Sequence, residues 1–137
     1  MYLLDTNVLS ELRKGRKANP NVSRWIAAQD SSKHYLSVVS ILEIEIGALR
    51  MLRRDPRQGR TFRDWIDQNV IPTFESRILD INRAIMIRCA ELHVPDPKPD
   101  HDALIAATAH VYRLTLATRN VRDFAKMGVA VVNPFEA

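Results

Sequence analysis

Five short runs of strand-forming residues, each separated from the next by a helical segment, constrain the fold of this chain more than any other feature. The predicted strands are residues 3–4, 35–39, 78–81, 114–118 and 129–132. Parallel neighbours in a sheet need a long crossover connection, which is usually a helix. The alternation therefore predicts an α/β domain with a central, mostly parallel sheet of about five strands.

Capping residues, prolines and glycines set the predicted limits of the helices. Ser40 is predicted to cap a helix over residues 41–53, which Pro56 and Gly59 then break. A further helix is predicted to stop near Pro72, because proline lacks the amide donor that a helix interior requires.

Size and composition are those of an ordinary globular protein. The 137 residues suit a single domain spanning 1–137, and 46% of them are hydrophobic. No apolar run approaches the roughly 20 residues that span a bilayer, and the N-terminus lacks a signal-peptide pattern. The single cysteine, Cys89, excludes an internal disulfide framework and fits a reducing compartment. We therefore expect a cytoplasmic protein with no membrane partner.

Positive charge is concentrated in two segments. Residues 50–63 contain six arginines against one aspartate, and residues 13–17 form a second basic cluster. Such clusters are typical of proteins that contact a phosphate backbone, although a solvated surface is the alternative for each. The residues expected to contact nucleic acid are Arg13, Lys14, Arg16, Lys17, Arg50, Arg53 and Arg54.

Four acidic residues stand where an α/β sheet of this kind turns toward its ligand crevice. Asp5 and Asp123 follow the first and fourth strands, and Glu43 and Asp102 lie early in helices. Each acid alone is explained by helix capping or by a surface charge. Together they predict a bound cation, because clustered carboxylates repel one another and oxygen ligands suit Mg²⁺ or Mn²⁺.

The identity of the second acid is open at this stage. Glu43 and Glu45 are two residues apart on a helix and so lie about 200° apart around its axis, which lets only one of them face the crevice. Zinc is not favoured, because its usual ligands are histidine and cysteine and the four histidines are scattered. A glycine-rich phosphate loop is absent, so nucleotide triphosphate chemistry is not expected.

Four segments, in order along nearly the whole chain, resemble the motifs of PIN-domain ribonucleases, and in particular the VapC toxins of toxin–antitoxin pairs. They are residues 3–7 (LLDTN), 37–47 (SVVSILEIEIG), 102–109 (DALIAATA) and 118–124 (TRNVRDF). The resemblance implies a PIN-like three-layer α/β/α fold in which the first strand lies beside the fourth.

The resemblance also implies a site and a reaction. The Glu-Ile-x-x-Gly pattern of the family falls on Glu43 and selects it over Glu45. The acids implied to be catalytic and metal-binding are Asp5, Glu43, Asp102 and Asp123, with Asp100 as an additional or substitute contact. The implied supporting polar residues are Thr6, Thr118 and Asn120. The implied activity is Mg²⁺-dependent cleavage of RNA, with Mn²⁺ as a substitute and a metal-activated water as nucleophile.

Partners follow from the same resemblance. They are an RNA substrate, a cognate VapB-like antitoxin and a second copy of the chain in a homodimer or dimer of dimers, with DNA bound only through the antitoxin complex. Large apolar side chains that could receive a partner helix are Trp25, Ile26, Phe62, Trp65 and Ile66.

Two other functions are compatible with parts of the sequence. A haloacid-dehalogenase-like phosphatase also begins with an aspartate after its first strand, but it needs a second aspartate at the position occupied here by Asn7. A nucleic-acid-binding regulatory module without catalysis fits the basic segments, but clustered acids would repel phosphate in the absence of metal.

Overall fold

The strands form one parallel five-stranded sheet in the order β3-β2-β1-β4-β5. The computed structural model describes residues 1–137. Its strands are β1 (Tyr2–Leu4), β2 (His34–Ser37), β3 (Ile78–Leu79), β4 (Thr115–Ala117) and β5 (Val131–Val132). The first strand is therefore central and lies between the second and the fourth, as the resemblance implied.

Helices cover both faces of this sheet. They are α1 (Thr6–Leu12), α2 (Pro20–Ala27), α3 (Val38–Arg54), α4 (Pro56–Trp65), α5 (Ile71–Phe74), α6 (Arg83–Leu92), α7 (Asp100–Tyr112) and α8 (Val121–Ala125). Side chains alternate along β1, so Leu4 packs into the core beneath α1 to α5 and Leu3 into the core beneath α7 and α8. The predicted three-layer α/β/α architecture is confirmed. No helix is both long and apolar enough to cross a membrane.

The start of α3 differs from the prediction. The strand ends at Ser37, whose hydroxyl accepts a hydrogen bond from the Val39 amide at 3.0 Å and so caps the helix three residues earlier than expected. Val38 and Val39 have strand propensity, but the cap and their packing override it. Ser40 is not a cap. It is buried in α3, and its Oγ lies 3.0 Å from Thr6 Oγ1.

Of the two predicted helix breakers, Pro56 does coincide with the end of α3, which stops at Arg54, whereas Gly59 does not break a helix. Pro56 occupies the first turn of α4, where proline is tolerated, and Asp55 caps that helix. Gly59 lies inside α4, where a Cβ atom would come within 2.4 Å of Leu52 Cα. It therefore permits α3 and α4 to approach closely, rather than ending a helix.

The helical path also continues beyond the predicted stop at Pro72. A π-helical segment, Ile66–Val70, leads into α5, and Pro72 lies near the start of α5. Proline is tolerated in the first turn of a helix, so Pro72 does not stop the helical path.

Candidate active site

Asp5 links β1 to α1 and is held from three sides. It is 5% exposed, and its Oδ1 accepts a hydrogen bond from the Thr6 amide at 2.8 Å, which caps α1. Its Oδ2 accepts hydrogen bonds from Thr118 Oγ1 at 2.7 Å and from Asn7 Nδ2 at 3.3 Å. Thr118 reaches Asp5 because β4 pairs with β1. Asp5 is therefore both a helix cap and a fixed carboxylate at the carboxyl edge of the sheet.

The two glutamates of α3 have different surroundings. Glu43 Oε1 accepts a hydrogen bond from Thr6 Oγ1 at 2.6 Å, which connects it to the Asp5 turn. Glu45 instead forms an ion pair with Arg63, whose Nη2 donates to Glu45 Oε1 at 2.8 Å. Arg63 also pairs with Asp67. Glu43 is thus the acid that lies beside Asp5, whereas Glu45 joins α3 to α4.

Asp102 and Asp123 complete the acidic group from α7 and α8. Asp102 lies in the first turn of α7 and is partly buried, and Asp123 is exposed in the first turn of α8. Neither carboxylate accepts a hydrogen bond or forms a salt bridge with any other side chain. Asp102 is close enough to Glu43 and to Asp123 for their charges to affect its ionisation.

Burial and the charges of neighbouring acids make Asp5 and Asp102 hard to ionise. Burial raises the pKa of Asp5 to about 6 against opposing hydrogen bonds from Thr118 and the Thr6 amide, and the charges of Glu43 and Asp102 raise it further. Burial is also the main reason that the pKa of Asp102 is raised, followed by the charges of Glu43 and Asp123. No lysine or arginine pairs with any of the four acids.

The chemistry of the four carboxylates suits a divalent cation, although the side chains do not yet converge on one point. Four carboxylates supply only oxygen ligands, which is the preference of Mg²⁺ and Mn²⁺. Asp5 and Glu43 are oriented by hydrogen bonds, whereas Asp102 and Asp123 have none. No three acidic, histidine or cysteine side chains converge at the separation of metal ligands. Binding of a cation would therefore require the side chains of Asp102 and Asp123 to move toward Asp5 and Glu43.

The remaining predicted site residues differ in whether they contact the acids. Thr6 and Thr118 both orient the acids. The backbone N–H of Asn120 donates to Thr118 Oγ1 at 3.0 Å, whereas the side chain of Asn120 forms no hydrogen bond. Asp100 is 88% exposed and lies 3.6 Å from His93, so it points to a different partner from the other acids.

The sequence interpretation missed Asn7. Its Nδ2 donates to Asp5 and its Oδ1 accepts from the Arg119 amide at 3.2 Å, which ties the turn after β1 to the turn after β4. Its position in the Asp-Thr-Asn turn was the available signal.

Some of the basic residues predicted to contact RNA already interact with other side chains of the protein, and the others do not. Lys14 forms a salt bridge at 2.8 Å with Glu11, which is buried, and the guanidinium of Arg13 lies 4.1 Å from the centre of the Phe62 ring. Arg54 donates to Met51. The predicted RNA contacts that are exposed and have no ion pair or hydrogen bond are Arg16, Lys17, Arg50 and Arg53.

A parallel α/β sheet whose carboxyl edge carries acids with no lysine or arginine partner is compatible with the nuclease class of proteins. The PIN-domain family model matches residues 2–130, and the chain belongs to that family. It is 32% identical over 143 residues to the VapC ribonuclease Y4jK of Sinorhizobium fredii, with 99% of each chain covered.

Solved structures give the same fold. The crystal structure of FitAcB from Neisseria gonorrhoeae has a TM-score of 0.91 and 30% identity, with both chains covered completely. A toxin–antitoxin complex from Klebsiella pneumoniae has a TM-score of 0.71 and 30% identity, with 98% of each chain covered. Both likenesses extend over essentially the entire chain, so the correspondence is not confined to the motifs.

Proposed function

We propose that this protein is a Mg²⁺-dependent endoribonuclease and the toxin of a VapBC-type toxin–antitoxin pair. The observation that carries the proposal is the buried carboxylate of Asp5, which lies among other acids with no basic side chain to neutralise it. Membership of the PIN-domain family and the likeness to a VapC ribonuclease support the same conclusion. A cytoplasmic location is part of this proposal.

The acids Asp5, Glu43, Asp102 and Asp123 would hold the cation. When bound, Mg²⁺ lowers the pKa of water and stabilises negative charge on a phosphate. Thr118 and Asn7 hold the Asp5 carboxylate in one orientation, and Thr6 does the same for Glu43. These hydrogen bonds prevent the two acids from turning away from the crevice and so reduce the cost of arranging ligands.

The phosphatase alternative is not supported by the geometry. Asn7 stands where that chemistry needs a second acid, and its amide donates to Asp5 instead of offering a proton to a leaving group. A non-catalytic module would not explain why the Asp5 carboxylate is buried beside other acids, an arrangement that costs folding free energy.

A cavity suited to an apolar partner lies next to the N-terminal helices α1 and α2. It measures about 240 Å³ and is lined by Leu9, Leu12, Ile26, Trp65 and Phe74, among others. Of the five apolar residues named from the sequence, Ile26 and Trp65 line this cavity, whereas Trp25, Phe62 and Ile66 are buried in the core. We propose that an apolar face of the antitoxin binds here.

Inhibition and assembly would use other surfaces than this cavity. A basic residue of the antitoxin would pair with Asp5, Glu43 and Asp102 and exclude the cation. Homodimerisation would cover exposed apolar side chains, which include Leu42 and Leu49 on α3 and Met86 and Ile87 on α6. DNA would be bound only by the complex with the antitoxin.

The test is cleavage of total RNA by the purified protein, followed by sequencing of the new ends. We expect cleavage with Mg²⁺ or Mn²⁺ and none with EDTA. The Asp5→Asn variant is expected to bind RNA without cutting it. Cleavage that persists in EDTA would refute the metal requirement, and binding without cleavage by the wild type in either metal would identify a non-catalytic module.

A further inference from the structure

A small cavity beside the acidic crevice is lined by Arg50 and His101. It measures about 270 Å³, and its other two lining residues are Glu43 and Ile46. Glu43 connects the cavity to the crevice, because the same side chain accepts the hydrogen bond from Thr6. Ile46 is the only hydrophobic side chain in the lining, so the cavity suits a charged group better than a stacked base.

Arg50 brings an unneutralised positive charge to this cavity. Glu43, Ile46 and Arg50 are three and four residues apart on α3 and therefore share one face of that helix. Arg50 is exposed and forms no salt bridge with a carboxylate. Arg63, in contrast, is paired with both Glu45 and Asp67. The guanidinium of Arg50 is thus available to an external anion.

His101 faces the same cavity from α7. It is the second residue of that helix, its side chain is 46% exposed, and its Nδ1 lies 3.6 Å from Glu43 Oε2. Its Nε2 forms no hydrogen bond within the protein. The cavity therefore combines two nitrogen-bearing side chains from different helices next to one of the proposed cation ligands.

We propose that Arg50 and His101 form a subsite for one phosphate of the RNA chain, adjacent to the phosphate that is cleaved. The subsite rests on the proposed ribonuclease function. A guanidinium binds two phosphate oxygens at once, and an imidazole can donate to a third. The charge of Glu43 opposes an anion in this cavity, so occupancy of the subsite requires divalent cations in the crevice.

The test measures the dissociation constant of a fluorescent RNA oligonucleotide by anisotropy. Ca²⁺ replaces Mg²⁺ to slow cleavage, and the RNA is checked for integrity afterwards. Arg50→Gln is expected to raise the Kd about tenfold and to flatten the logarithmic salt dependence by about 0.7. His101→Gln is expected to raise it about threefold. The double variant should lose less than the product of these factors, because both residues hold one phosphate.

Arg83→Gln is the matched control, since Arg83 is an exposed arginine on α6 that forms no ion pair and does not line the cavity. It is expected to change the Kd less than twofold. If Arg50→Gln behaves like Arg83→Gln while the wild type binds and cuts RNA, the subsite is refuted and the ribonuclease function stands. If the wild type neither binds nor cuts, the proposed function itself fails.

A DNA oligonucleotide of the same sequence identifies what Arg50 recognises. Arg50→Gln is expected to weaken DNA and RNA binding by similar factors, because both strands carry the same phosphodiester. A loss confined to RNA would refute the phosphate assignment, since it would mean that Arg50 reads the 2′-hydroxyl.

Discussion

Two acidic clusters contact α3, and they differ in whether the protein supplies their positive partner. In the paired cluster, Glu45 and Asp67 both accept hydrogen bonds from Arg63, and the bond from Arg63 lowers the pKa of Glu45. In the crevice, Asp5 and Asp102 have raised pKa values and no lysine or arginine partner.

The difference separates a structural use of acids from the cation-binding use that we propose for the crevice. Arg63 joins α3 to α4 and to the π-helical segment, so the paired cluster contributes to the packing of these helices. Ionisation of Asp5 and Asp102 is unfavourable in the folded protein, and a bound cation would reverse this effect. The chain therefore has one acidic cluster that an arginine of the protein already pairs and one that has no lysine or arginine partner.

The largest expected effect is on RNA cleavage. Asp5→Asn should lower the rate in Mg²⁺ by about a thousandfold, equivalent to about 4 kcal/mol of transition-state stabilisation. Glu45→Gln, the matched change in the paired cluster, should alter the rate less than threefold. Initial rates on one defined RNA measure both. Equal losses in the two variants would show that the clusters do not differ in function.

The second effect is on stability without metal and has opposite signs in the two clusters. The pKa of Asp5 is about 6 in the folded protein and 3.8 for an ordinary aspartate. The folded state therefore holds the proton more tightly, so stability is greatest below the ordinary value and is lost as the pH rises through about 6.

In EDTA at neutral pH, Asp5→Asn should therefore stabilise the fold by about 2 kcal/mol, because it removes a buried charge. Glu45→Gln should destabilise it by about 1 kcal/mol, because it breaks a partly buried ion pair. Urea unfolding at several pH values measures both. A destabilised Asp5→Asn variant would contradict the raised pKa.

The third effect is stabilisation by metal. Mn²⁺ at ten times its dissociation constant should stabilise the wild type by about 1.4 kcal/mol, a rise in Tm of about 4 °C. Glu45→Gln should retain this rise, and Asp5→Asn or Asp102→Asn should lose most of it. A thermal melt with and without Mn²⁺ is sufficient, and an unchanged wild-type melt would count against a metal site.

The smallest effect concerns which positive charges contact RNA. Removing the free charges in Arg16→Gln/Lys17→Gln should flatten the salt dependence of RNA binding by about 1.4, or about 0.7 per contact. Lys14 is left intact, because its partner Glu11 is buried. Arg63→Gln should reduce stability and leave the salt slope unchanged. Equal salt slopes for the wild type and the double variant would identify residues 13–17 as a solvated surface.

The sequence by itself determined the architecture and the residue types of the site. The alternation of strands and helices predicted a parallel α/β sheet, because crossover connections leave few other arrangements. The family resemblance placed the first strand beside the fourth, and in the structure that pairing brings Thr118 into hydrogen-bond contact with Asp5.

Only the tertiary structure decided properties that depend on distant neighbours. Ser37 rather than Ser40 caps α3, because Ser40 is buried against Thr6 of another helix. Helical periodicity could not separate Glu43 from Glu45, since their difference arises from Thr6 and Arg63, which lie far from both in sequence. The raised pKa of Asp5 likewise comes from burial and from charges on α3 and α7. Burial and long-range electrostatics exist only after the chain has folded, and for that reason no local pattern contains them.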